Sequence, residues 1–112
     1  MDTPDGLELA SDAVVLDGVN ENFLNFLSHI GMIHVLMFGH PLVITSARDS
    51  HAPGDIHMRG YAVDGRTVDK PPEGVMLLLL LLAYAAVLQP IAVFDERNVP
   101  TGPHLHLEWH GA

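Results

Sequence analysis

Pro103-His104-Leu105-His106-Leu107-Glu108-Trp109-His110 alternates polar and apolar side chains almost without a break. A period of two is the signature of a β-strand, so Leu105, Leu107 and Trp109 face one way and His104, His106, Glu108 and His110 the other. The apolar set requires a core behind the strand. The histidine set leaves chemistry on the open side: at ~3.3 Å rise per residue the two backbones are roughly 6.6 Å apart. One imidazole can then bind a metal while the other faces water or substrate. A solvated strand face could carry the same pattern, so the pair needs a partner elsewhere in the chain.

That partner is His57-Met58-Arg59-Gly60-Tyr61-Ala62-Val63-Asp64. His57 and Asp64 are an odd number of residues apart, and on one uniform strand they would point to opposite faces. They meet only if the backbone bends between them, and Gly60 permits the bend because it tolerates positive φ and close approach of another backbone. After it, Tyr61 to Asp64 reads as a strand with Ala62 and Asp64 on one face. Two imidazoles and one carboxylate would leave one position of a tetrahedral zinc open, the mark of a catalytic rather than a structural site. Upstream, Leu42-Val43-Ile44-Thr45-Ser46-Ala47-Arg48 is a β-branched run that ends on a cation. A guanidinium at the end of a core strand can meet a carboxylate or a polarised carbonyl; an ion pair with one of the chain's many acids is the plainer alternative.

His57-x-x-Gly60-x-Ala62-x-Asp64, followed by His104-x-His106, resembles the zinc D-alanyl-D-alanine carboxypeptidase family. These cell-wall peptidases share their core with murein endopeptidases and the amino-terminal domain of hedgehog proteins. The resemblance spans residues from about 20 to 110 and keeps the order helix, strand with Arg48, His/Asp motif, helix, strand, His-x-His strand. It implies that His57, Asp64 and His106 bind Zn2+, that His104 acts beside the metal, and that Arg48 contacts the substrate peptide. Two positions depart from it: Asp55 stands where many members have Ser, and Pro103 where some carry a Glu base. The second departure gives the base role to His104. The implied function is a zinc metallopeptidase hydrolysing a stem or cross-bridge peptide bond of peptidoglycan, of carboxypeptidase or endopeptidase type, as in an endolysin-like cell-wall hydrolase. The hedgehog relationship also allows a catalytically silent zinc-bound module, and a His-rich acidic domain without metal is a third possibility.

Working outward, residues 1–19 read as an irregular lead-in with a short apolar segment at Ala13 to Leu16, closed by Asp17-Gly18. Asn20 or Asn22 caps a helix from Glu21 to about Met37, where Phe23, Leu24, Phe26, Leu27, Ile30, Ile33 and Leu36 recur at three- and four-residue spacings before Gly39 stops it. His29 and His34 lie in that helix without a neighbour at metal-ligand spacing. Gly65 to Gly74 reads as a loop, its prolines and Glu73 preparing a second helix. Val75 to Leu88 is apolar all round. At 1.5 Å per residue it is roughly 21 Å long against a hydrocarbon core of ~30 Å, so a central buried helix is expected rather than a membrane span. Ile91 to Phe94 gives another strand, and Asp95 to Gly102 a turn into the histidine strand; Asp95 or Glu96 offers an alternative base. The expectation is an α+β domain over residues 20–112, a small antiparallel sheet packed on two or three helices with the zinc site on the sheet.

Composition sets bounds on this reading. A chain of 112 residues can bury roughly 65% of its unfolded surface in one core and needs no disulfide. With no cysteine, any metal is held by His, Asp or Glu. Five Lys and Arg against fourteen Asp and Glu, a formal charge of −9, argue against nucleic acid or anionic lipid as partners. The acidic start Met1-Asp2-Thr3-Pro4-Asp5-Gly6 lacks the basic and apolar regions of a secretory signal. The expectation is a protein that stays cytoplasmic until released, in the manner of a phage lysin.

Overall fold

The computed structural model describes residues 2–49, 54–98 and 102–111. Among the described residues seven elements follow one another: β1 (Leu7–Leu9), α1 (Glu21–Phe38), β2 (Leu42–Ser46), β3 (Ala62–Arg66), α2 (Pro72–Leu88), β4 (Ile91–Glu96) and β5 (His104–Trp109). The strands form one five-stranded sheet in the order β1-β2-β3-β5-β4. The fold is α+β as expected, with two helices. The sheet is mixed rather than wholly antiparallel, because β1 joins β2 in parallel.

β1 lies inside the segment read as irregular. Leu7 to Leu9 pair with Leu42 to Ile44 at the sheet edge, and Leu7, Val14, Leu16 and Val19 are all buried. The lead-in therefore contributes to the core. Residues 13–16 form no strand.

α1 begins and ends where its caps dictate. The Asn20 side chain accepts a hydrogen bond from the Phe23 backbone N–H at 3.1 Å, and Gly39 closes the helix at φ 80° with its N–H donating to the Val35 carbonyl. Its inward stripe is Phe23, Leu24, Leu27, Ile30, Gly31 and His34. Ile33 and Leu36, expected inside, are exposed, and His34 takes the inward place instead. Burial holds the His34 pKa below its ordinary value, and its Nδ1 donates to the His40 carbonyl at 2.7 Å.

Trp109 stacks on Phe23 at 5.8 Å between ring centroids and lies beside Phe26. With Leu105 and Leu107 it forms the inward row of β5. Ile44, Val63, Leu78 and Leu82 complete the same core, each large apolar side chain contributing roughly 1.5–3 kcal/mol by leaving water.

Two strand ends and the burial of one helix differ from the sequence reading. β3 runs on to Arg66 and β4 to Glu96, so residues assigned to loops are strand. Backbone pairing with β5 extends both. α2 buries only Gly74, Val75, Leu78 and Leu82 and is a half-exposed helix, not a central buried one. No helix among the described residues is long and apolar enough to cross a membrane. Residues 50–53 and 99–101, parts of the loops before His57 and before β5, lie outside the described residues.

Candidate metal centre

β5 lies between β3 and β4, and both pairings are antiparallel, so directly opposite residues share a face. The register sets Asp64 beside His106 and His106 beside Phe94. On one side of this row lies Arg66–His104–Glu96, and on the other Ala62–Glu108–Ala92. The polar face predicted for the histidine strand thus meets Asp64 across one strand boundary and Glu96 across the other.

His57 reaches the same point from the turn before β3. Gly60 has φ 83°, and a Cβ there would run into the Gly18 carbonyl. The Asn20 N–H donates to the Gly60 carbonyl at 2.9 Å, closing the bend against the start of α1. Asp55 fixes the other end of the turn by accepting from the His57 backbone N–H at 2.9 Å. His57 and His106 come together edge to face, ring centroids 5.0 Å apart.

Asp64 is the hub. Its Oδ1 is 3.1 Å from His106 Nδ1, 3.6 Å from His57 Nε2 and 3.8 Å from His104 Nε2. One ligand atom each from His57, Asp64 and His106 lie within 4.8 Å of one another, so this group could hold a metal ion. Asp64, Glu96 and His104 form a second such group sharing the same carboxylate.

What lies behind each imidazole matters as much as what it faces. His57 Nδ1 donates to the Ala47 carbonyl at 3.2 Å and His104 Nδ1 to the Gly102 carbonyl at 2.8 Å. A carbonyl oxygen only accepts, so each Nδ1 carries a proton; His57 Nε2 faces Asp64, and His104 Nε2 faces Glu96 Oε1 at 2.8 Å and Asp64 Oδ1 at 3.8 Å. The His106 ring is turned the other way: Nε2 lies 2.7 Å from Glu108 Oε2 and Nδ1 is 3.1 Å from Asp64 Oδ1. Outer acceptors that fix tautomer and ring orientation in this way are the usual surroundings of metal-bound histidines.

With a carboxylate on each nitrogen, His106 is held as an imidazolium. The Asp64 hydrogen bond first, then the Glu108 hydrogen bond and the two negative charges, outweigh burial and push its pKa up to about 9. Burial works against ionised Glu108, but hydrogen bonds from His110 and His106 keep its carboxyl below its ordinary value.

The sequence undervalued two members of this cluster. Glu96, read as part of a turn, closes β4 opposite His104, with Oε1 2.8 Å from His104 Nε2. The alternation of β4 could have found it, had the strand been carried two residues further. Asp95, the other candidate base, points away and pairs with Arg97 at 2.6 Å. Glu108 bridges His106 and His110, the latter at 2.9 Å.

Arg48 does something the sequence did not announce. Its Nε donates to the Met58 carbonyl at 2.8 Å and its Nη1 to the Asp17 carbonyl at 2.9 Å, with the guanidinium packed where a side chain on Gly18 would sit. It ties the lead-in and the His57 turn to the end of β2. Comparison with protein-family models, curated proteins and solved structures gives no match.

Proposed function

We propose that the protein is a zinc-dependent peptidase that hydrolyses a peptide bond in the stem or cross-bridge of bacterial peptidoglycan. The observation that carries this reading is the meeting of His57, Asp64 and His106, ligand atoms within 4.8 Å, at the positions of the peptidase-like motif. Two nitrogens and one oxygen suit zinc with a coordination position to spare. Bound there, zinc would supply Lewis acidity toward the scissile carbonyl and toward the attacking water.

The chain's own groups handle the protons. His104, its Nδ1–H committed to Gly102, and Glu96, whose Oε1 lies 2.8 Å from His104 Nε2, form the pair that would accept the proton of water. The water oxygen bonds to the carbonyl carbon, the C–N bond breaks, and the proton held by the His104–Glu96 pair passes to the leaving amine. No acyl-enzyme forms. Glu108 holds His106 in register from behind. Phe94, 5.7 Å from the His106 ring and half exposed, offers the substrate an apolar contact. The Arg48 N–H groups not used on Met58 and Asp17 would steady the peptide or the developing oxyanion.

A second reading, a zinc-holding module without catalysis, has one observation in its favour: Arg48 already uses two donors on the chain's own carbonyls. Cell-wall turbidity separates the two. A peptidase clears the suspension, loses that activity to chelator, and loses it by about two or more orders of magnitude in His104→Ala. Product analysis on defined muropeptides then identifies the bond cut. Zinc uptake without clearing leaves the silent module. A purified chain that takes up no zinc sinks both readings.

A further inference from the structure

The exposed face of α2 is apolar from end to end. Met76, Leu77, Leu80, Tyr84, Val87 and Leu88 are between 51% and 81% exposed, and Glu73 in the first turn is the helix's only acid or base. Leu77, Leu80, Tyr84 and Val87 follow one another at steps of three, four and three, the spacing of a seam between two helices. That seam lies opposite the buried stripe of Val75, Leu78 and Leu82.

The geometry points to a second copy of this chain as the partner of α2, packed antiparallel about a two-fold axis near position 82. Two features favour a like partner. Reversing the helix about position 82 exchanges Met76 with Leu88, Leu77 with Val87 and Leu80 with Tyr84, so the exposed set maps onto itself. An isologous contact demands that self-complementarity. The uncovered area of these six side chains, roughly 700 Å² per copy, is close to the ~800 Å² that each partner gives to a standard interface and exceeds what monomers usually leave open.

Charge points the same way. The chain carries a net −9, and two copies approaching elsewhere would bring like charges together. The helix itself carries no charge between Val75 and Leu88, the Arg97 guanidinium that reaches Met76 Sδ at 3.9 Å is neutralised by Asp95, and the two Glu73 carboxylates fall at opposite ends of the seam. The same acidity repels an anionic lipid surface.

Sedimentation equilibrium of the full chain at micromolar concentration is expected to give twice the chain mass, falling to a single mass in Leu80→Glu, whose site is solvent-exposed and outside the core. Because the chain has no cysteine, the double variant Leu80→Cys/Tyr84→Cys reports the register. Oxidation should cross-link it nearly completely as a dimer, while Leu80→Cys alone stays largely uncross-linked. A single-mass wild type overturns the inference, as does a dimer that survives Leu80→Glu. A wild type that remains a single chain and floats with phosphatidylcholine vesicles assigns the face to lipid and overturns it equally.

Discussion

His106 has no neutral neighbour on its ring nitrogens: Asp64 holds one and Glu108 the other. Its pKa of about 9 in the metal-free chain lies above the ordinary 6.5, which fixes two signs. The stabilisation from these charge contacts is fully present below pH 6.5 and is lost as pH rises through about 9. Metal must also displace that proton. Zinc binding at pH 7 is therefore expected to release about one proton from His106, and apparent affinity to climb with pH up to about 9. Calorimetric titration in two buffers of different ionisation heat measures the release; an enthalpy independent of buffer would show that His106 is not a ligand. Glu108→Gln removes the charge behind the imidazole while keeping its shape. The expected cost is about 10- to 100-fold in zinc affinity with the fold intact, read by chelator competition.

At the scale of elements, the bend at Gly60 decides whether His57 joins the cluster. Gly60→Ala combines a disfavoured positive φ with a methyl group against the Gly18 carbonyl. A loss of at least about 2 kcal/mol in urea unfolding is expected, together with weakened zinc binding, since the turn that carries His57 must shift. The glycine bend and the alternation of β5 were both legible in the sequence, because each depends only on neighbouring residues. Asn20 and Gly39 likewise marked α1 through local capping chemistry. Glu96 and β1 were not legible for the same reason in reverse. The final two residues of β4 are strand because β5 lies alongside them, and three residues form β1 only because β2 offers a parallel edge. α2 was legible as a helix but not as a half-exposed one. A run that is apolar on every side carries no periodicity, so only the packed structure reveals which stripe is inward.

For the whole molecule, the centre joins the His57 turn, β3 and β5, with Glu96 bringing in β4. A metal there ties segments that are far apart in sequence, and an unfolded chain presents no such site. At free zinc about 100-fold above the dissociation constant the stabilisation is ~2.7 kcal/mol, a rise in thermal midpoint of about 10 °C for a domain of this size. Scanning calorimetry with zinc and with chelator checks it; His57→Ala should abolish the difference. The strand order carries a further implication for how the molecule is put together. β4 precedes β5 in the chain, yet among the described residues β5 is its sole neighbour in the sheet. The α2–β4 unit therefore joins the rest of the sheet only through β5, and the pairing of β5 with β3 that makes this join also brings His104 and His106 to Asp64. Ion competence and completion of the sheet therefore hang on the same strand pairing: whatever loosens β5 from β3 opens the sheet and scatters the ligands together.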